Sequence, residues 1–228
     1  MVRLILFLIV AALVLVGPQL WTRRVFAKHS APRDDYPGTG GELARHLLNR
    51  FDLQHIKVEP TEKGDHYDPL SKAVRLTPAI FDGKSLTAIT VAAHEVGHAI
   101  QDHLGYQPLA ERTKLVKVAQ SAEKVGAVLM MGIPIAGAVA RTPVASVVVM
   151  MAGMATMGIA TLVHLVTLPV EWDASFRRAL PVLRQGNYLT PEDEQGARSI
   201  LTAAALTYVA ASLASLLNLW RWIAFLRR

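Results

Sequence analysis

Four long apolar blocks constrain what this chain can fold into: Leu4–Leu20, Val125–Ala140, Val144–Val170 and Ile200–Leu219. The chain has 228 residues, of which 52% are hydrophobic, and its mean hydropathy is +0.30. A helix of about 20 apolar residues crosses the hydrocarbon core of a bilayer, and most of these blocks approach or exceed that length. The pattern therefore predicts a mainly α membrane protein with about four transmembrane helices.

The first block has a second interpretation, which is a cleaved signal peptide. However, Arg3 alone supplies positive charge before the block, and no clear small-x-small cleavage site follows it. Trp21, Arg23 and Arg24 come directly after the block and are typical of an anchor at the membrane interface. We therefore expect this block to be an uncleaved span.

Charge is distributed unevenly around the blocks. Every Asp and Glu lies in 21–118, in 171–198, or at Glu123 on the edge of the second span, together with most Lys and Arg residues. Four spans in order would leave these regions on one side of the membrane, and the positive-inside rule places that side in the cytoplasm. The lipid bilayer is thus a predicted partner. The net charge of +6 does not indicate nucleic acid, because the basic residues neither form a stripe nor alternate with aromatic ones.

The polar stretch 22–118 has the pattern of a small α+β domain. Alternating and helical periodicities predict two strands and two helices, namely a helix at Glu42–Arg50, strands at His55–Glu59 and Lys72–Leu76, and a helix at Leu86–His103. Ser85 is a candidate N-cap for the last helix and Gly105 is a natural stop. A sheet of two or three strands is expected.

The segment His94-Glu95-Val96-Gly97-His98 lies inside that last helix. Two histidines four residues apart project from one face, so that both imidazoles can reach a single cation. Glu95 is displaced by about 100° around the helix, which can place its carboxylate beside a metal-bound water. The chain has no cysteine, so a metal must be held by His and carboxylate groups. The alternative is a chance match on a solvated helix face, but the start and stop signals of the helix favour a metal site.

Glu171 is the predicted third ligand. It follows the third apolar block, where the chain returns to the side of the polar domain, and a set of three protein ligands leaves one position open for water. The alternative is a carboxylate that marks the membrane boundary. His103 lies five residues after His98 and is turned away from the histidine pair. His164 lies inside an apolar block and is predicted to be either an interfacial residue or one that packs between helices.

Three segments resemble a known family: His66–Pro69, Ala92–Gln101 and Leu168–Ser175 look like the bacterial neutral zinc metallopeptidases of the YugP type, which are similar to the HtpX and CAAX prenyl protease group. The resemblance covers residues 35–180. It implies a zinc-dependent endopeptidase in which Zn²⁺ is bound by His94, His98 and Glu171, with Glu95 as the catalytic carboxylate. In the HtpX group an Asp four residues after the ligand Glu orients a ligand His, and the present chain has Ser175 at that position.

Together these observations predict a small zincin-like α+β metalloprotease domain joined to about four transmembrane helices in the bacterial cell membrane. The predicted segments are an N-terminal transmembrane helix at 1–21, the zincin-like domain at 22–118, a transmembrane helical hairpin at 119–170, a helix and loop with the third ligand at 171–198, and a C-terminal transmembrane helix at 199–228. A multi-pass protein whose catalytic domain faces the cytoplasm is expected.

The predicted reaction is hydrolysis of a peptide bond in a polypeptide substrate, either soluble or membrane-embedded, by an HExxH…E enzyme of the gluzincin type. The strand Lys72–Leu76 is expected to align the substrate at a sheet edge. The candidate donors to the oxyanion are His66, Tyr67, Tyr106 and Arg177. The alternative function is a membrane scaffold or holdase that retains a structural zinc site, but such sites usually have four protein ligands. A metal sensor or transporter would need ionisable residues in mid-span, and the blocks contain almost none.

Overall fold

The computed structural model describes residues 16–122 and 165–226 and the positions 151, 155, 159, 162 and 163, with side chains described as far as residue 210. The regular elements in chain order are α1 (16–28), α2 (Gly40–Arg50), β1 (Lys57–Pro60), β2 (His66–Asp68), β3 (Ala73–Leu76), α3 (Pro78–Phe81), α4 (Leu86–His103), α5 (107–122), α6 (165–172), a π-helical segment (Asp173–Ala179), α7 (Leu180–Gln185) and α8 (Pro191–Leu226).

Local capping fixes where the two central helices begin. α2 begins two residues before its predicted start, because the Thr39 hydroxyl accepts the N–H of Glu42 while the Glu42 carboxylate accepts the N–H of Thr39 at 2.8 Å. α4 has its predicted bounds, and the Ser85 hydroxyl accepts the N–H of Ala88 at 3.2 Å. Gly105 follows α4 with φ of 64°, a conformation that favours glycine and ends the helix.

The sheet has three strands in the order β1-β3-β2. β1 runs parallel to β3, with Lys57 opposite Ala73, and β2 runs antiparallel to β3, with His66 opposite Arg75. Both edges of β3 are therefore occupied, so the prediction that Lys72–Leu76 aligns a substrate at a sheet edge is wrong. The short strand β2 lies at one edge of the sheet instead.

Helix α4 forms the centre of the core. Its residues from Leu86 to Gln101 are all buried, which is typical of a helix that is covered on every side. α2, the π-helical segment and α8 are the elements that pack most extensively against it. Among the largest fully buried side chains are Leu47 and Leu48 of α2, Leu53 in the loop after α2, Leu76 of β3, Leu183 of α7, and Ile200 and Leu201 of α8.

The predicted fold class, a mainly α membrane protein with about four transmembrane helices, is wrong for the part of the chain that the structure describes. None of the helices among those residues combines the length and the apolarity that a membrane crossing requires. The described residues form instead a mostly helical structure with a small three-stranded sheet. The predicted multi-pass location in the cell membrane rested on the same spans, and the same finding contradicts it for the residues that the structure describes.

Helix α8 gives the physical reason for part of this correction. Its first turn carries the acidic residues Glu192, Asp193 and Glu194, and the following turns bury Ile200 and Leu201 in the domain core. Apolar residues that were assigned to a lipid contact thus contact protein. Most of the other three apolar blocks lies outside the described residues. The division of the chain into five segments stays a prediction.

The close packing of α2 against α3 and α4 can be tested by a substitution at Gly40. A Cβ at this position would lie 2.3 Å from the carbonyl oxygen of Ile80 and 2.9 Å from that of Ala88. We expect Gly40→Ala to lower the free energy of unfolding by roughly 1–3 kcal/mol, because backbone atoms of two elements would have to move apart. Thermal unfolding followed by circular dichroism measures this change.

Gly17→Ala is the matched control, since no atom of the described residues lies within 4 Å of a Cβ added to this helical glycine. The control should leave stability unchanged or raise it by up to about 1 kcal/mol. Equal melting temperatures for the two variants would contradict the close packing of α2.

Candidate metal centre

Two histidines on α4 and one glutamate on α6 converge in the core. The rings of His94 and His98 lie 4.7 Å apart between centroids and are nearly perpendicular. The Glu171 Oε2 atom lies 3.1 Å from His94 Nε2 and 3.4 Å from His98 Nε2. One ligand atom from each residue lies within 4.8 Å of the others. Ligand atoms in a tetrahedral zinc site, about 2.0–2.1 Å from the ion, are roughly 3.4 Å apart, so this spacing suits one such ion.

The Glu171 side chain is 2% exposed. Burial by itself would raise the pKa of its carboxyl group, but the adjacent imidazoles of His98 and His94 hold that pKa well below its ordinary value. Glu171 is therefore present as a carboxylate, which is the form that binds a metal.

Gln101 orients the His98 ring. The Gln101 amide nitrogen donates to the carbonyl oxygen of Val170 at 2.9 Å and to Asp173 Oδ2 at 2.8 Å. The Gln101 amide oxygen is thereby left to accept from His98 Nδ1, which lies 2.9 Å away. With its proton on Nδ1, the His98 ring has its Nε2 lone pair free to bind a cation at the ligand group. Arg178 anchors the network by donating to Asp173 at 2.6 Å.

Ser175 makes the corresponding contact with the other ring. Its hydroxyl lies 3.1 Å from His94 Nδ1, and the side chain is buried. This is the position at which the HtpX group has an Asp, so a neutral hydroxyl occupies the place of a carboxylate and can accept the Nδ1 proton of His94. The wide turns of the π-helical segment bury both Asp173 and Ser175, and such segments are frequent at functional sites.

Gly97 allows the π-helical segment to approach α4. A Cβ at Gly97 would lie 2.8 Å from the carbonyl oxygen of Ala174, which is backbone and cannot rotate away. This close contact brings Ser175 within reach of His94. Gly97 therefore packs against the segment that supports the site.

Glu95 lies beside the ligand group without being one of its three members. It is buried, and this burial raises the pKa of its carboxyl group to about 7, with a further contribution from the nearby Glu171 carboxylate. The neighbouring His94 ring and the Arg112 guanidinium act in the opposite direction. A cation at the ligand group would add to that opposition, because it favours the ionised carboxylate.

Two residues near the site were not among the predicted ones. Arg112 on α5 places its guanidinium 3.6 Å from Glu171 Oε1, the oxygen that is not shared with the histidines. Tyr208 on α8 is close enough for Glu171 and Glu95 to raise the pKa of its phenol, although burial contributes most. Tyr208 is the one titratable residue in the apolar block Ile200–Leu219, and that isolation is a sequence feature by which it could have been identified.

The four predicted oxyanion donors have other surroundings. The Tyr67 hydroxyl donates to Asp102 at 2.5 Å, and His66 Nδ1 lies 2.8 Å from the Gly64 carbonyl oxygen. The remaining two are Tyr106, whose ring packs against Arg178, and Arg177, which lines a cavity with Trp172.

The two other histidines considered do not join the ligand group. His103 is exposed at the end of α4, as expected from its position on the helix. His164 lies outside the residues that the structure describes.

Comparison with known proteins identifies the family and the metal. The family model described as "Putative neutral zinc metallopeptidase" matches residues 4–227. A protein of Bacillus subtilis (strain 168), "Putative membrane protease YugP", is 37% identical over an alignment of 226 residues that covers 96% of this chain and 95% of that protein. No solved structure matches this chain. These findings confirm the resemblance to the YugP type, and the family and the ligand group together confirm zinc as the cofactor.

Gln101→Leu tests whether the amide network supports metal binding. We expect zinc affinity to fall roughly 10- to 100-fold, because the His98 ring loses the group that fixes its orientation and tautomer. Competition with a chromophoric chelator measures the affinity. Gln195→Leu is the matched control, since Gln195 is exposed on α8; if both variants bound zinc equally, the network would have no role in holding the metal.

Proposed function

Because this chain belongs to the family of neutral zinc metallopeptidases, we propose that it is a zinc-dependent endopeptidase of the HExxH…E, or gluzincin, type. The proposal rests on one observation: the ligand atoms of His94, His98 and Glu171 converge, while Glu95 stands beside them outside the group. We assign the first three residues as zinc ligands and Glu95 as the catalytic base.

Zinc bound there would supply Lewis acidity, which polarises a carbonyl group and makes water more acidic. The residues of the chain would do the rest. Glu95 accepts a proton from the attacking water and then delivers it to the leaving amine. Gln101 and Ser175 hold the two imidazole rings in the orientation that directs both Nε2 atoms toward Glu171. A site that is arranged before the reaction does not need to reorganise during it.

Strand β2 is the element that we propose aligns the substrate. It lies at an edge of the sheet, where it can pair with an extended peptide through its main chain. Its residues His66 and Tyr67 line the same cavity as His98. A peptide added to β2 would therefore pass close to the zinc ligands.

The alternative, a scaffold or holdase with a structural zinc site, is less consistent with the ligand group. Structural zinc sites are usually closed by four protein ligands. Among the residues that the structure describes, the group has three. Glu95, which a structural site would not need, is buried next to that group.

Glu95→Gln separates catalysis from metal binding. The variant should retain zinc but hydrolyse peptides roughly 10²- to 10⁴-fold more slowly, because the amide cannot accept the proton of the attacking water. Zinc content is measured by atomic absorption and hydrolysis with a quenched fluorescent peptide library. Glu111→Gln, at an exposed position of α5, is the control and should be as active as wild type. A zinc-loaded Glu95→Gln variant with wild-type rates would refute the assignment of Glu95.

Glu171→Ala should lose both zinc and activity. Its carboxylate supplies one of three ligand atoms, and its removal also leaves the buried imidazoles without their anionic partner. Treating wild type with a chelator should abolish hydrolysis in the same way, and added zinc should restore it in wild type but not in the variant. Glu171 would not be a ligand if the variant bound zinc with wild-type affinity.

A further inference from the structure

A cavity of about 310 Å³ opens beside the metal centre, next to the strand that we propose aligns the substrate. One wall consists of β2 and the turn after it, residues 66–70, and the other wall is formed by α5. His98 lies at the boundary between this cavity and the ligand group. If His98 holds zinc, a side chain in the cavity belongs to a residue next to the bond that is cut.

Helix α5 presents one of its faces to the cavity. Arg112 and Val116 are four residues apart, as are Thr113 and Lys117, and such pairs are neighbours on a helix surface. Arg112 lies near Glu171, and Lys117 lies more than one turn further along the helix. This face of α5 therefore carries two positive charges, one beside the metal centre and one farther from it along the helix.

Both cations can interact with an anionic ligand. Arg112 approaches Glu171 Oε1 at 3.6 Å, which leaves its remaining guanidinium N–H groups for other acceptors, and its side chain is 29% exposed. Lys117 is exposed and makes no ion pair within the described part of the chain. A carboxylate that enters the cavity would meet these two groups.

The acidic residue of the lining, Asp68, does not cancel this charge. Its carboxylate accepts from Arg75 at 2.9 Å and from the Ser71 hydroxyl at 2.7 Å. Although burial opposes the effect, these hydrogen bonds and that of the Leu70 N–H lower the pKa of Asp68 to about 2. Both oxygens of Asp68 are thus engaged, Oδ1 by the Leu70 N–H and Oδ2 by Ser71 and Arg75, and Arg75 also pairs with Glu59 at 3.2 Å. One carboxylate of this kind leaves the two cations of α5 in excess.

Apolar side chains complete the lining. Leu70, Leu109 and Val116 contribute hydrocarbon surface to the same cavity as the two cations. A ligand with a short aliphatic stem and a terminal carboxylate would contact both kinds of surface. Among the amino acids, glutamate has this construction.

We propose that the cavity between β2 and α5 is a specificity subsite for an acidic side chain, with glutamate preferred, on a substrate residue adjacent to the scissile bond. This inference rests on the proposed function. It adds a substrate class to the metal centre: polypeptides cut beside an acidic residue.

The first test compares matched peptides with the zinc-loaded protein. A peptide library identifies a cleaved bond, and peptides with Glu, Gln or Lys at each position next to that bond are then compared by kcat/KM. We expect the Glu peptide to exceed the Gln peptide by about tenfold at one of these positions, with Lys lower still. C-terminally amidated and free-acid versions are included, because a terminal carboxylate has the same chemistry. If amidation alone slows cleavage and Glu→Gln does not, the subsite does not recognise a side chain.

The second test reverses a charge. Lys117→Glu should abolish the preference for Glu over Gln and raise cleavage of the Lys peptide by roughly tenfold, because the subsite would then repel carboxylates. Lys114→Glu makes the same change at an exposed position of α5 outside the cavity and should keep the wild-type preference. Equal zinc content and circular dichroism spectra show that both variants are folded.

The outcomes distinguish the subsite from the enzyme. Zinc-dependent cleavage with equal rates for Glu and Gln peptides, or equal effects of the two lysine variants, overturns the subsite and leaves the peptidase standing. Absence of zinc-dependent cleavage across the whole library overturns the proposed function, and the subsite with it.

Discussion

The contact between the Glu171 carboxylate and the imidazoles of His94 and His98 is the interaction on which the rest of the structure depends. An ionised carboxylate in a protein core is strongly unfavourable unless it is paired. Here the carboxylate lies against the two imidazoles of α4, and the Arg112 guanidinium approaches its other oxygen at 3.6 Å, so its charge is offset inside the packing interface of α4. Zinc would strengthen the same contact, because it joins the three ligand atoms directly.

Two layers of contacts maintain that arrangement. The first is polar: Gln101 connects His98 to the α6 backbone and to Asp173, and Ser175 reaches His94. The second is steric, since Gly97 permits the backbone of the π-helical segment to lie against α4. Because both layers join α4 to the π-helical segment, a change in packing at Gly97 would also change the orientation of the two imidazole rings.

Local signals in the sequence were sufficient for some elements but not for others. The bounds of α4 follow from a cap and a stop, and its histidine pair follows from an HExxH pattern. Glu171, which meets that pair, was predicted from its place after the third apolar block and from the family resemblance. The place of β3 in the middle of the sheet depends on pairing between distant segments, and β2 has too few residues for a periodicity. Hydropathy alone gave a wrong prediction for α8, because apolar residues such as Ile200 and Leu201 have the same hydropathy whether they contact lipid or the protein core. Arg112 lies near Glu171 because α5 packs beside the site, and no motif or residue spacing in the sequence predicts that contact.

The looser winding of the π-helical segment determines which of its residues lie on the same face. Seven residues, Asp173–Ala179, are wound more loosely than an α-helix would be. If the same seven residues were wound as an ordinary α-helix, Asp173 and Arg178 would lie about 140° apart around the helix axis. The i→i+5 spacing of a π-helix brings them to one face instead, where Arg178 donates to Asp173. The looser winding therefore decides whether Arg178 can hold Asp173, and through Asp173 the Gln101 amide, in place.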